Sequence, residues 1–287
     1  MLKYSSRALT RKERILPSFI IIGAARAGTT SLYAYLISHP NVLPSVKKET
    51  VFFNYAYHTN PDWYKMYFPT ISEREKIKKQ KGIQRVITGE ATPSYLIDPH
   101  VPQRISEMLP GIKLIVLLRN PIERALSHYH HNIFFGIEKL PFEEGIKKEP
   151  ERINKSFEEL KNEEINFNDT PVSYFFRIMR FKTKNYFNFS YLESGKYYEL
   201  LKNWLDVFPK NQLLIIQSED FFDNTKNIFR QVQDFLDLPY YDLGHYGLHW
   251  EIKHQPMKDN LRKSLKEYFE PYNSKLYKYL NRDFEWK

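Results

Sequence analysis

The sequence SFIIIGAARAGTTS, residues 18–31, decides the fold. It opens with a short apolar run rich in β-branched residues, Ser18–Ile22, which predicts a buried strand. A loop bounded by Gly23 and Gly28 follows, and apolar residues then recur at helical spacing until Pro40. A strand, a glycine-bounded loop and a helix form the opening unit of a nucleotide-binding fold, because the amide groups at a helix N-terminus can hold a phosphate.

The loop has the Gly-x4-Gly spacing of a P-loop but lacks two features of nucleotide hydrolases. Those enzymes carry Lys before the Ser/Thr of the loop and a metal-binding Asp at the end of a later strand. Here Thr29 takes the Lys position, the strand 113–118 ends in Arg119, and Arg26 places a cation inside the loop. The residues therefore predict a phosphate site that needs no metal, formed by Ala25, Arg26, Ala27, Gly28, Thr29, Thr30 and Ser31.

A second cation and a second hydroxyl are expected beside this loop. Arg119 follows a buried strand at its carboxyl end, where ligands bind in open α/β sheets. Ser127 lies about two turns into the next helix. Two anion sites without a metal indicate a nucleotide that carries two separate phosphate groups.

The rest of the chain alternates strands and helices. Strands are predicted at Arg85–Gly89, Lys113–Leu118 and Gln212–Gln217. Helices are predicted at 101–109, from the Asn120 N-cap and Pro121 through His130, at 196–208, at 223–236, and at 258–280 with one interruption at Pro271. This order predicts an α/β fold: P-loop-like, three-layered, with a central, mainly parallel sheet and helices on both faces.

The pattern also divides the chain into regions. Residues 1–17 are predicted to be a polar N-terminal arm, and residues 18–287 a single domain. Within the domain, residues at about 133–191 lack a strong period and are predicted to be a substrate-binding insertion. The charged run Ser72–Lys81 is predicted to be an exposed helix or loop rather than a binding patch.

Composition excludes several classes of site. The chain has 287 residues and no cysteine, so disulfides, thiolate metal sites and a cysteine nucleophile are excluded. The first residues lack the apolar core of a signal peptide and no run is long enough to span a membrane, so a cytoplasmic protein is expected. A net charge of +9 suits a polyanion, nucleic acid or lipid surface equally well and selects none of them.

Histidine clusters do not predict a metal site. His128, His130 and His131 project in different directions from one helix, and His245 and His249 have no further ligand that the sequence identifies. Both groups are interpreted as structural or as facing the acceptor.

Several motifs together resemble the sulfotransferases that use 3′-phosphoadenosine 5′-phosphosulfate (PAPS), in particular the branch of heparan sulfate sulfotransferases and their bacterial relatives. Loop 23–31 is similar to their 5′-phosphosulfate loop, and LLRNPIERALS at 117–127 is similar to their 3′-phosphate motif. KETVFF at 48–53, GEATPSYL at 89–96, the Gly-x-Tyr…Trp…Phe-Pro…Asp-Phe-Leu-x-Leu pattern within 195–238 and the final Asp-Phe-x-Trp also match.

The resemblance implies a role for each matching residue. Arg26, Thr29 and Thr30 would bind the 5′-phosphosulfate, Arg119 and Ser127 would bind the 3′-phosphate, and Glu49 would be the general base. Lys48 would assist or pair with Glu49, and Lys253 matches a cofactor-binding Lys only loosely. The implied reaction is in-line sulfuryl transfer from PAPS, without a metal, to a glycan, a glycolipid or another small hydroxyl or amine acceptor, with no nucleic acid partner.

Two positions depart from the branch. Val51 stands where His is common, and Ala91 stands where Lys is common. Both positions face the acceptor in the relatives, so an acceptor other than heparan sulfate is open, as is the choice between O- and N-sulfation. The alternatives are a P-loop kinase or nucleotide hydrolase, which magnesium dependence would favour, and a non-catalytic basic module that binds nucleotide or nucleic acid.

Overall fold

A computed structural model describes residues 7, 9–57, 61–161, 185–247 and 257–286. Its centre is a five-stranded sheet in the order β2-β3-β1-β4-β5, and every strand pair is parallel. The strands are β1 (Phe19–Gly23), β2 (Val42–Leu43), β3 (Ile87–Ala91), β4 (Lys113–Leu118) and β5 (Leu213–Gln217). Helices surround this sheet, so the predicted three-layer α/β architecture is confirmed.

Thirteen α-helices have both bounds in the described parts of the chain. They are α1 (Thr29–Ser38), α2 (Phe52–Tyr55), α3 (Asp62–Lys65), α4 (Ile71–Lys81), α5 (Val101–Met108), α6 (Pro121–Phe134), α7 (Phe142–Lys147), α8 (Glu149–Lys161), α9 (Asn185–Phe189), α10 (Tyr197–Leu205), α11 (Ser218–Asp223), α12 (Thr225–Phe235) and α13 (Asp259–Leu280).

The sheet brings the predicted phosphate sites together. β1 lies between β3 and β4, and all five of its residues are buried. Because β1 and β4 are parallel neighbours, the loop after Gly23 and the residue after Leu118 meet at the same edge of the sheet. The side chain of Asn120 accepts a hydrogen bond from the Ile122 amide and so caps α6, as predicted. The order of elements therefore places loop 23–31 beside Arg119.

The helix predicted at 258–280 is present, but the predicted interruption within it is wrong. The interruption expected at Pro271 is absent, and α13 runs unbroken from Asp259 to Leu280. A proline inside a helix removes one hydrogen bond and crowds the preceding turn. Here Leu265, Phe269 and Leu276, on both sides of Pro271, are buried against the core. Their packing holds both halves of the helix in line.

Other boundaries shift in ways that local contacts explain. β3 begins at Ile87 rather than Arg85, and the Arg85 carbonyl instead accepts a hydrogen bond from the Asn41 side chain at 2.6 Å. The helix predicted at 223–236 is confirmed as α12, which begins at Thr225 and ends at Phe235; the separate helix α11 precedes it, and Asn224 between them has a non-helical backbone. The helix after Asn120 continues beyond His130 to Phe134.

Two predicted regions contain more local order than the pattern suggests. Within 133–191 the structure contains α7, α8 and α9, while residues 162–184 lie outside the described part. Buried Glu138 connects parts of this region, because it pairs with Arg152 and accepts a hydrogen bond from the Tyr191 hydroxyl.

Near the N-terminus, Arg14 is buried and donates a hydrogen bond to the Phe68 carbonyl. Residues 71–81 form α4, which buries no side chain, as expected for an exposed charged helix.

Candidate functional site

The loop between β1 and α1 is held in a compact turn. The Ala24 amide donates to the Leu117 carbonyl of β4 at 2.8 Å, and the Ala27 amide donates to the Ala24 carbonyl at 3.2 Å. Gly28 has φ +98° and is the N-cap of α1. A Cβ at Gly28 would lie 2.9 Å from the ring of Phe222, so both backbone and space favour glycine. The first amides of α1 therefore face the loop, as a phosphate site requires.

The three predicted anion-binding side chains meet at this loop. Arg26 donates through Nε to the Ser127 hydroxyl at 3.1 Å. Arg119 donates through Nη1 to the carbonyl of Arg26 at 3.0 Å. The two predicted phosphate sites are thus joined by direct hydrogen bonds between residues 93 and 101 positions apart in the sequence. Arg26 itself has φ +71°, a strained conformation that is found more often at functional sites.

The charges at this site repel one another. The pKa of Arg26 is lowered from 12.5 to about 10, mainly by burial and also by the neighbouring charges of Arg119 and Arg124. Arg124 is fully buried and donates to the carbonyls of Ser190 and Tyr191. A partly desolvated group of three guanidinium ions is stabilised by an anion, so its electrostatics favour a phosphorylated ligand.

Two further groups hold the backbone around Arg119. The buried hydroxyl of Tyr197 donates to the Arg119 carbonyl at 2.8 Å. Glu219 accepts from the Asn120 amide at 2.8 Å and from the Trp286 indole at 3.2 Å. The Gly-x-Tyr and Asp-Phe-x-Trp motifs have no role that the sequence alone predicts. The structure gives both motifs the same role, which is to fix the end of β4.

A lysine links the phosphate loop to the candidate base. Lys48 Nζ lies 3.0 Å from the Thr30 hydroxyl and 3.0 Å from a carboxylate oxygen of Glu49. The Glu49 side chain is 47% exposed, so an acceptor can reach its carboxylate. The pair places an accessible proton acceptor at the start of α1, beside the loop.

His131 lies close enough to Arg26 and to Glu49 for both charges to shift its pKa. Burial lowers the pKa of His131 and the charge of Arg26 lowers it further, while Glu49 acts in the opposite direction. Its neighbour His128 is buried, and burial lowers its pKa far below the ordinary value. The sequence left the His128–His131 group as structural or acceptor-facing; the structure buries His128 and places His131 near Arg26 and Glu49.

The structure therefore brings most of the predicted residues into one site. Residues 25–31, Lys48, Glu49, Arg119 and Ser127 surround the start of α1, whereas Lys253 and His249 lie outside the described residues. Across the described ranges, no group of three or more His, Cys, Asp or Glu side chains is arranged to hold a metal. None of the described helices is long and apolar enough to cross a bilayer.

Glu90 lies next to this site and was not predicted from the sequence. It is fully buried on β3, and its carboxylate accepts hydrogen bonds from Thr50, which follows Glu49. Residue 90 lies within GEATPSYL at 89–96, but a carboxylate inside a β-strand pattern gives no sign of its partners.

Comparison with known proteins gives one consistent family. The profile described as "Sulfotransferase domain" matches residues 16–275. Membrane-associated sulfotransferase kil1 of Dictyostelium discoideum is 31% identical over 95% of this chain, and heparan sulfate glucosamine 3-O-sulfotransferase 3A1 of Mus musculus is 28% identical over 94%. The chain spans 67% and 64% of the lengths of these two relatives. A sulfotransferase structure from Alicyclobacillus acidocaldarius is 27% identical, with a TM-score of 0.65 over 94% of this chain and 98% of that one.

Proposed function

The chain belongs to the sulfotransferase domain family, and we propose that it transfers a sulfuryl group from PAPS to a hydroxyl or amine of a carbohydrate acceptor. One observation carries this proposal. Lys48 lies 3.0 Å from both Thr30 of the phosphate loop and Glu49, so an exposed carboxylate is fixed beside an anion site. Transfer to a hydroxyl or amine requires a base that reaches the acceptor close to the sulfuryl group, on the side of the sulfur opposite the leaving oxygen, and Glu49 is the candidate for that base.

The electrostatics of the site support PAPS as the donor. PAPS carries a 3′-phosphate and a 5′-phosphosulfate, and the site offers a cation and a hydroxyl for each. Arg119 and Ser127 are assigned to the 3′-phosphate, and Arg26 and Thr30 to the 5′-phosphosulfate. The Arg26–Ser127 and Arg119–Arg26 hydrogen bonds join the two halves. No metal is proposed, because guanidinium groups and amides supply the positive charge.

The residues act in a single in-line displacement. The oxygen or nitrogen of the acceptor forms a bond to sulfur, and Glu49 accepts the proton that this hydroxyl or amine loses. Arg26 and the first amides of α1 stabilise the charge that develops on the bridging oxygen as the sulfur–oxygen bond breaks. The products are the sulfated acceptor and 3′-phosphoadenosine 5′-phosphate (PAP). Lys48 keeps positive charge next to both reacting groups, which also orients the Glu49 carboxylate.

A carbohydrate acceptor is supported by the heparan sulfate sulfotransferases among the relatives, which are 26–28% identical to this chain. This chain differs from the resemblance at two positions that face the acceptor in the relatives, where Val51 and Ala91, both buried here, stand in place of the expected imidazole and ammonium. Fewer cations on the acceptor side favour an acceptor with fewer acidic groups than heparan sulfate.

Calorimetric titration tests the donor assignment. The protein is titrated with PAP in the presence of EDTA, and in parallel with ATP and magnesium. We expect PAP to bind selectively without metal and Arg119→Ala to abolish binding, because the variant loses the cation assigned to the 3′-phosphate. Preference for ATP with magnesium would favour a kinase or hydrolase, and no binding of either nucleotide would refute the donor assignment.

A further inference from the structure

Glu90 is a buried carboxylate for which the proposed reaction has no direct use. It lies on β3, is fully buried, and accepts hydrogen bonds from neutral groups. Oε1 accepts from the hydroxyls of Tyr64 at 2.6 Å and Tyr95 at 3.3 Å. Oε2 accepts from the hydroxyls of Thr92 at 2.6 Å and Thr50 at 2.8 Å, and from the Thr50 amide at 3.3 Å.

Desolvation makes such a site costly to build. Burial raises the pKa of the Glu90 carboxyl, while the hydrogen bonds from Thr92, Tyr64 and Thr50 oppose this rise. An apolar side chain would fill the same interior position without a desolvation penalty. A buried carboxylate with five hydrogen bonds therefore needs a reason beyond packing.

The hydrogen bonds reach both neighbours of Glu49. On one side, Thr50 is bound to Glu90 through its hydroxyl and its amide. On the other side, the Lys48 carbonyl accepts a hydrogen bond from the Ala91 amide at 3.1 Å. Consecutive residues of β3 thus hold the chain before and after Glu49, while the Glu49 side chain itself stays exposed.

The same segment holds a strained residue. Val51 has φ +50° and ψ 22°, the left-handed conformation that a β-branched residue rarely adopts. The strain persists only where surrounding contacts fix the backbone. The contacts of Thr50 with Glu90 supply that restraint one residue earlier, and the buried ring of Phe52 supplies it one residue later.

We propose that Glu90 is a positioning residue for sulfuryl transfer: through Thr50, and together with the Ala91 amide, it fixes the backbone that presents Glu49 to the acceptor. The proposal rests on Glu49 as the base. Glu90 touches neither donor nor acceptor, and its effect passes through the geometry of residues 48–51.

Paired substitutions test it. Thr50→Val removes the hydroxyl that bonds to Glu90 and keeps the β-branched shape. Thr88→Val is the matched control, because Thr88 is also buried on β3 and its hydroxyl donates to the Leu43 carbonyl at 2.7 Å, away from Glu49. Glu90→Ala removes the whole network. Glu90→Gln can keep an amide oxygen on Thr50 and donate its NH2 to the hydroxyls on the other side.

Two measurements are made on each variant. The first is the rate of transfer from PAPS to a panel of heparan sulfate, heparosan and simple glycosides, with PAP affinity from calorimetry. The second is hydrogen–deuterium exchange of the peptide that covers residues 48–53. We expect kcat to fall about 10-fold in Thr50→Val and about 100-fold in Glu90→Ala, because displacing a reacting group by about 1 Å has effects of that size.

PAP affinity should stay within about twofold in both variants, because their defect lies on the acceptor side. Exchange in residues 48–53 should rise in both variants, and Glu90→Gln should recover most of the activity. Thr88→Val should match the wild type in both measurements. Unchanged exchange at residues 48–53 in Thr50→Val and Glu90→Ala would overturn the proposal, as would equal losses of kcat in Thr50→Val and Thr88→Val.

Glu49→Gln in the same series separates this proposal from the function on which it rests. Faster exchange in the Glu90 variants with full activity in Glu49→Gln would refute Glu49 as the base, while leaving Glu90 as the group that holds the loop. Loss of activity in Glu49→Gln, together with unchanged exchange at residues 48–53 in all Glu90 variants, would support Glu49 as the base and refute the positioning role of Glu90.

Discussion

Replacing Arg26 with methionine should make the ligand-free protein more stable while it destroys nucleotide binding. Arg26 is partly desolvated and lies close to two other guanidinium groups, which together lower its pKa from 12.5 to about 10. A shift of about 2.5 units corresponds to about 3 kcal/mol of unfavourable free energy for the charged form in the folded state. The variant loses one hydrogen bond to Ser127, which contributes about 1 kcal/mol.

The expected net change is therefore a gain of about 2 kcal/mol in the free energy of unfolding. For a chain of this length that gain raises the Tm by about 4 °C. Methionine keeps the length and flexibility of the side chain, and it has a Cβ, so the strain at φ +71° is the same in both proteins. Urea unfolding and thermal melts measure the difference, each with and without PAP.

Ligand addition provides the second half of the test. PAP at 100 times its Kd should stabilise the wild type by about 2.7 kcal/mol and leave the variant unchanged. Arg152→Met is the matched control, because Arg152 is paired at 2.6 Å with the buried carboxylate of Glu138. That variant should lose about 3 kcal/mol and still respond to PAP. A less stable Arg26→Met protein, or one that PAP still stabilises, would refute the electrostatic account of the site.

Three other substitutions test other parts of the structure. Gly28→Ala should lower the free energy of unfolding by at least about 1 kcal/mol and abolish PAP binding, because the backbone has φ +98° and the added Cβ would meet the ring of Phe222. Gly82→Ala is the control, because Gly82 also has a positive φ but lies in open space. It should lower stability in thermal melts and leave PAP binding unchanged in titrations. Tyr197→Phe should weaken PAP binding about fivefold in calorimetry, because the Arg119 carbonyl loses its buried donor. Burial raises the pKa of Glu149 to about 7, so the folded state holds a proton that the unfolded state releases. Wild-type stability should therefore fall by up to about 3 kcal/mol as pH rises from 4.5 through 7, and Glu149→Gln should flatten that slope in urea unfolding at pH 5 and pH 8.

The sequence predicted the elements that depend on local signals. The apolar run before Gly23, the buried strand 113–118 and the Asn120–Pro121 cap are confirmed because each rests on a local rule that the core also satisfies. The short strand β2 was missed, since two residues cannot show a period.

Long-range contacts decided what the sequence could not predict. The helix passes Pro271 because distant core residues hold both of its halves, and Glu90 acquires its role only when Thr50, 40 positions away, folds onto it. The position of Arg119 beside the loop followed from sheet topology and was predicted together with the fold, whereas the hydrogen bond from Arg26 to Ser127 was not predicted. The cytoplasmic location, the roles of individual site residues and the substrate-binding role of residues 133–191 stay predictions.

The central claim is metal-independent transfer from PAPS with Glu49 as the base. Transfer of labelled sulfuryl from PAPS to heparan sulfate, heparosan and simple glycosides, measured in EDTA, tests it most directly in the wild type and in Glu49→Gln. The account predicts labelled acceptor with equimolar PAP in the wild type, and a loss of at least about 100-fold in Glu49→Gln with PAP affinity unchanged. Full activity in Glu49→Gln, or transfer that requires added magnesium, would contradict it.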